Sequence, residues 1–184
     1  GRTLAMLAAT DKPLFREGFG PMPEGFVHVP FGNLNHLRDA MDADVAAIMV
    51  EPVQGEGGAI AAPEGYLEGV RKAADDFGAL VIADEVQTGM GRTGYLFAYQ
   101  KTNIQPDLVV LAKGLGGGFP VGAVIARKAI GEAMGPGGAD GALVQANSVT
   151  YRKWNVLRKV RRTIQEALSS TSSSTMTINN VSLE

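Results

Sequence analysis

The chain has 184 residues, enough for one domain with a real core, and its make-up of 45% hydrophobic and 20% charged residues is that of an ordinary soluble protein. A formal net charge of −2 points to neither a nucleic acid nor a membrane as partner, and the lack of cysteine removes disulfides, thiolate metal sites and cysteine nucleophiles together, which fits a cytoplasmic setting. The apolar runs fall far short of the roughly 20 residues that cross a bilayer, and the opening residues do not read as a secretory leader.

The chain opens on Gly1-Arg2-Thr3, without methionine, so its natural start is expected upstream. Residues 33–42 read as a helix capped by Asn33. Residues 45–50 form a continuous apolar run and are expected to be a buried strand. A helix follows over 63–77, with Pro63 near its start and Gly78 at its end. Three more short apolar runs, 80–83, 108–112 and 121–126, read as buried strands. Apolar strands alternating with helices predict an α/β unit whose sheet, mainly parallel, is covered on both faces.

The last part of the chain has a different character. Residues 1–150 carry 11 Lys/Arg against 17 Asp/Glu, whereas residues 151–184 carry 6 against 2. Residues 151–168 have the spacing of a cationic amphipathic helix around Trp154, Val156, Leu157, Val160 and Ile164. Eight of the nine residues 169–177 are Ser or Thr, a low-complexity stretch that is not expected to pack.

Chemistry is expected where ligands gather in such folds, at the carboxyl ends of the strands. Glu51, Asp84 and Lys113 each directly follow an apolar run, so three ionisable groups should converge on one edge. Lys113 is followed by Gly114, Gly116, Gly117 and Gly118, which would clear side chains from the approach of a planar group. A lysine at the end of a buried strand is expected to be buried itself. Burial disfavours the ammonium form, leaving an amine suited to Schiff-base chemistry. A pyridine cofactor would also need a carboxylate at its ring nitrogen, an apolar cover for one ring face and a polar group at its hydroxyl. Asp84, Val86 and Gln87 provide these types in order, with Asp84 and Val86 on one side of an extended segment.

Three long motifs carry a closer likeness. They are the runs 51–58 (EPVQGEGG), 84–94 (DEVQTGMGRTG) and 112–123 (AKGLGGGFPVGA). With them, residues 1–137 resemble the class III pyridoxal-phosphate-dependent aminotransferases, and among these most of all the acetylornithine aminotransferases of arginine biosynthesis. The fold this resemblance implies is the large α/β domain of a fold-type-I pyridoxal-phosphate enzyme, incomplete at both ends. Residues 138–184 resemble nothing in the family and are expected to be a divergent basic, Ser/Thr-rich tail. Gly141 and Ala142 stand where the family carries hydroxyl side chains.

By the same resemblance, Lys113 is the Schiff-base lysine and proton shuttle, and Asp84 holds the pyridine nitrogen. Val86 packs on the ring and Gln87 meets its hydroxyl side. Glu85 lies within the same cofactor-binding segment, with a structural contact as the plainer reading of its side chain. Arg2 binds the substrate α-carboxylate, Glu56 stands near the substrate pocket, and Glu51 steadies the Gln87 region from behind. Arg92 is read as fixing the loop after Asp84, and His28 and His36, outside the motifs, as surface or satisfied residues and not ligands. The implied reaction moves an amino group from N-acetylornithine to 2-oxoglutarate, giving N-acetylglutamate 5-semialdehyde and glutamate in a homodimer. The alternatives are another ω-amino donor (ornithine, succinylornithine or 4-aminobutyrate) and an inactive fragment that acts at most as a binding piece. No metal, nucleic acid or membrane partner is expected.

Overall fold

A computed structural model describes residues 3–133; Arg2 and the basic, Ser/Thr-rich tail lie outside the described residues. Helices α1 (Leu4–Ala9), α2 (Pro13–Arg16) and α3 (Leu34–Asp39) precede β1 (Ala47–Val50). A small antiparallel hairpin follows, β2 (Val53–Gln54) with β3 (Ile60–Ala61), and then α4 (Tyr66–Phe77) and β4 (Leu80–Asp84). The described chain closes with β5 (Leu108–Leu111), β6 (Ala123–Ala126) and α5 (Lys128–Ala133).

The main sheet has the order β1-β4-β5-β6. β1 pairs parallel with β4, and β4 parallel with β5, whereas β6 returns antiparallel to β5. The expected sheet is therefore mainly parallel with one reversed strand. Its reversal has a simple cause. Parallel neighbours need a crossover of a dozen or more residues, usually a helix. Between β5 and β6 the chain has only a 3-10 turn at Lys113–Gly116 and a few glycine-rich residues, so it can only fold back.

α4 supplies the crossover from β1 to β4, and its sequence shows why. Tyr66, Leu67, Val70, Ala73 and Ala74 recur on one face and are buried against the sheet. Glu68, Lys72, Asp75 and Asp76 face solvent, and Lys72 Nζ reaches Asp76 one turn on at 3.1 Å. The helix starts later than its proline suggests. Pro63 instead starts a turn in which its carbonyl accepts from the Tyr66 amide, and Gly65 at φ 74° precedes the first helical residue. It ends as expected on left-handed Gly78, whose amide donates to Ala74 and Asp75 carbonyls. Asn33 caps α3 as predicted, its Oδ1 accepting from the Asn35 and His36 amides at 3.1 Å each. That helix stops at Asp39, three residues short of the expected end.

The core is continuous from α4 through the sheet. Val70, Ala73, Ala74, Val81 and Val109 have no exposed surface. At about 25 cal/mol per Å², burying a valine side chain contributes about 1.5–3 kcal/mol. The crossover from β4 to β5 has no α-helix. Residues 85–107 instead form a loop around a 3-10 turn at Ala98–Lys101, with Phe97 and Tyr99 stacked at 5.8 Å between ring centroids. No helix among the described residues is long and apolar enough to cross a membrane.

Candidate active site

The strand register decides which residues meet at the carboxyl edge. Val50 lies opposite Ala83, and Asp84 opposite Val110, so Glu51 and Asp84 leave adjacent strands side by side. Lys113 follows two residues after the end of β5, and the three groups converge as the sequence predicted. Glu51 feels both of the others. Burial raises its pKa first; the Gly55 amide opposes this, the Asp84 charge adds to it, and Lys113 and Lys12 pull it back, with a net rise.

Lys113 departs from expectation in one respect. It is exposed, not buried. β5 alternates half-buried and buried residues up to Leu111, which is 1% exposed, and the chain then turns out of the sheet. Lys113 itself sits at φ 42°, a left-handed conformation that costs a non-glycine residue about 1–3 kcal/mol. Its glycine neighbours have no side chains with which to cover it. The glycines also serve the turn itself. Gly117 and Gly118 take φ 56° and 101°, and a methyl on Gly116 would lie 2.9 Å from Val121 Cγ2. A methyl added at Gly117 or Gly118 would meet nothing within 4 Å, and one at Gly114 would only touch Met90 Cβ at 3.7 Å.

The segment after β4 is a turn, not the extended strand expected from the sequence. Asp84 Oδ1 accepts from the Val86 amide at 3.0 Å, and the Gly89 amide donates to the Glu85 carbonyl at 2.8 Å. Asp84, Val86 and Gln87 remain half-buried at the edge. Glu85 points elsewhere and is 1% exposed. One of its carboxylate oxygens accepts from the Thr88 hydroxyl and the other from the Tyr99 amide at 2.9 Å. It thus ties the start of the long β4–β5 loop to the 3-10 turn within it. Tyr99 registers that neighbour: burial, and then the Glu85 charge, push its phenol up to about 12.

The β2–β3 hairpin brings the 51–58 motif over the edge. Glu51 Oε2 accepts from the Gly55 amide at 3.1 Å, and Gln87 packs against the bare Gly55 Cα. The Glu56 side chain is exposed, and its carbonyl accepts from Lys12 Nζ at 3.0 Å. Lys12 and Gly55 are parts of the site that sequence reasoning missed. A lysine beside a proline carries no motif, and Gly55 is one of many glycines. Arg92 and Gly91 are exposed on the loop. His28 lies 3.2 Å from Arg16 Nη2, and His36 is in α3, both outside the carboxyl-edge group.

Residues 1–167 match the profile of the family described as Aminotransferase class-III. The chain belongs to the class III aminotransferases. The match runs past residue 137, where the likeness in the motifs was expected to end. Among curated relatives, the acetylornithine aminotransferase of Methanopyrus kandleri is 55% identical over 137 residues, 74% of this chain and 35% of that protein. That of Xylella fastidiosa is 53% identical, covering 73% of this chain and 33% of that protein. The chain therefore spans about a third of the length of these relatives. Among solved structures, the ornithine aminotransferase of Toxoplasma gondii ME49 aligns with a TM-score of 0.72 at 35% identity, over 75% of this chain and 33% of that one. An (S)-enantioselective omega-transaminase from Thermomicrobium roseum gives 0.69 at 31% identity, over 91% of this chain and 42% of its own. Pyridoxal phosphate is the cofactor of this class III family, whose large domain has the mainly parallel sheet flanked by helices seen here.

Proposed function

We propose that this chain provides the lysine-bearing part of a pyridoxal-phosphate-dependent aminotransferase site, with N-acetylornithine as amino donor and 2-oxoglutarate as acceptor. The observation that carries the reading is the meeting of Glu51, Asp84 and Lys113 at the carboxyl edge of three parallel strands. The donor set suits the cofactor: an accessible primary amine for an aldehyde, a half-buried carboxylate for a protonated ring nitrogen, and half-buried Val86 for a ring face. When bound, pyridoxal phosphate supplies an electrophilic aldehyde and a ring that accepts electrons.

The chain's own residues then have distinct tasks. Asp84 would hold the proton on the ring nitrogen, its Oδ1 being fixed in place by the Val86 amide. Gln87 would meet the ring hydroxyl. Lys113 would hold the cofactor through its amine, and that amine would be the base for the proton on the amine-bearing carbon of the donor. Arg2 binds the donor's α-carboxylate and Glu56 faces its distal end. We read the working unit as a cytoplasmic homodimer.

Support for acetylornithine comes from relatives of that name at 50–55% identity. Ornithine is the competing donor, because solved ornithine aminotransferases align at 35–42% identity. An inactive-fragment reading also has its observation, in a chain that spans a third of its relatives. One experiment separates these. The purified chain is incubated with pyridoxal phosphate, reduced with borohydride and mapped by mass spectrometry, and glutamate formation from 2-oxoglutarate is followed with each donor. A reduced adduct on Lys113 with acetylornithine-dependent glutamate is the expected result. Adduct without turnover supports the inactive fragment, and no selective adduct at Lys113 overturns the proposal.

A further inference from the structure

Gly55 stands at the point where two of the three motifs touch. A methyl group added to its Cα would lie 2.7 Å from Gln87 Cγ, 3.0 Å from Cδ and 3.2 Å from Cβ. These are the root and middle of the Gln87 side chain, so a small rotation of its tip relieves nothing. Gly55 has little room to retreat either. Its amide donates to Glu51 Oε2 at 3.1 Å, and its carbonyl accepts from the Gly58 and Ala59 amides at 3.2 and 3.3 Å. Both peptide groups of the residue are held, one by a carboxylate rooted at the end of β1 and the other by the hairpin loop.

We propose that Gly55 is a positioning residue: its bare Cα is the seat of Gln87, and the Glu51 carboxylate holds that seat in place. The loop of the β2–β3 hairpin thereby sets where the Gln87 amide stands at the carboxyl edge. The significance of that amide for the cofactor rests on the function proposed above; the seat itself does not. The geometry also makes the Glu51 charge felt at Gly55. Burial and the Asp84 charge raise the Glu51 pKa, so the Gly55 amide should sense a titration above the usual carboxylate range.

Two arms test this on the full chain. In the first, without cofactor, nitrogen-15 spectra follow the Gly55 amide and the Gln87 side-chain amide. Gly55→Ala should move the Gln87 resonances, and Glu51→Ala should move them too, while Glu51→Gln, which keeps an acceptor, should restore them. In wild type the Gly55 amide should titrate with Glu51, and in Glu51→Gln that titration should vanish. Gly57→Ala is the control, because a methyl there meets Gln54, at 3.1 Å from Oε1, and not Gln87. Should Gly55→Ala fail to fold, the two Glu51 variants decide the question.

In the second arm, with pyridoxal phosphate bound, the absorption band and cofactor affinity are measured for Gly55→Ala, Gln87→Ala and the double variant. Each single change should weaken binding by about tenfold and shift the band alike, and the double variant should match Gln87→Ala. Gln87 resonances that ignore Gly55→Ala and Glu51→Ala, or losses that add in the double variant, overturn the proposal. If wild type takes up no cofactor at Lys113, the proposed function fails, and the first arm alone still decides the seat.

Discussion

The two ends of the main sheet hold similar charges and treat them in opposite ways. At the amino edge, Asp107 precedes β5 and is 5% exposed. Its oxygens are matched throughout: Arg71 Nη1 at 2.6 Å, Arg127 Nη1 at 3.2 Å and the Val81 amide at 2.8 Å. Burial alone would raise its pKa, but the Val81 amide and Arg71 outweigh burial and hold it below the usual carboxylate value. At the carboxyl edge, Glu51, Asp84 and Lys113 approach one another without such closure. Glu51 is pushed upward, and Lys113 stands exposed in a strained conformation. A charge cluster that is sealed and paired holds elements together. One that is left open, with strain at its lysine, is the kind of cluster on which chemistry can be proposed.

The sharpest way to break this contrast is to remove Lys113. Lys113→Ala should abolish the borohydride-trapped adduct and lower any turnover at least about 10²-fold, with the denaturation midpoint no lower than in wild type. A marked loss of stability instead would place Lys113 among the structural charges. At the other edge, Asp107→Ala strands Arg71 and the Val81 amide, and should cost about 3 kcal/mol in urea denaturation. The surviving folded fraction should still form the Lys113 adduct. A third variant probes the strain directly. Lys113→Gly should stabilise the chain by about 1 kcal/mol, because glycine adopts φ 42° freely.

The smallest effect is in pH dependence, where the two edges should oppose each other. The depressed Asp107 contributes stability that is present above its unfolded pKa and lost as pH falls through its folded value. The raised Glu51 contributes stability that is full below its unfolded pKa and is lost as pH rises through its folded one. In unfolding measured from strongly to mildly acidic pH, Asp107→Asn should flatten the limb below the ordinary aspartate value, and Glu51→Gln should flatten the decline above the ordinary glutamate value.

Much of this contrast was legible in residue order. Apolar runs ending in Glu51, Asp84 and Lys113 predicted both the strands and the edge where they meet, because strand ends in a parallel sheet point the same way. The hydrophobic spacing of α4 and the Asn33 cap were equally readable, since both are local. Other features were not. The short hairpin of β2 and β3 has two residues a side, too few for a periodic signal. Lys113 follows an apolar strand, yet exposure depends on which side chains from elsewhere cover it. Asp107 gave no signal at all, because Arg71 and Arg127 reach it from 36 and 20 positions away in the chain.

The sequence by itself determined the alternation of strands and helices, the family and the set of groups at the carboxyl edge, because each is carried by consecutive residues. Tertiary structure decided the rest. It reversed β6, turned Glu85 inward as a loop anchor, left Lys113 exposed and set Gly55 beneath Gln87. Each of these depends on which surfaces meet in space, and that is fixed by packing and register between segments far apart in the chain.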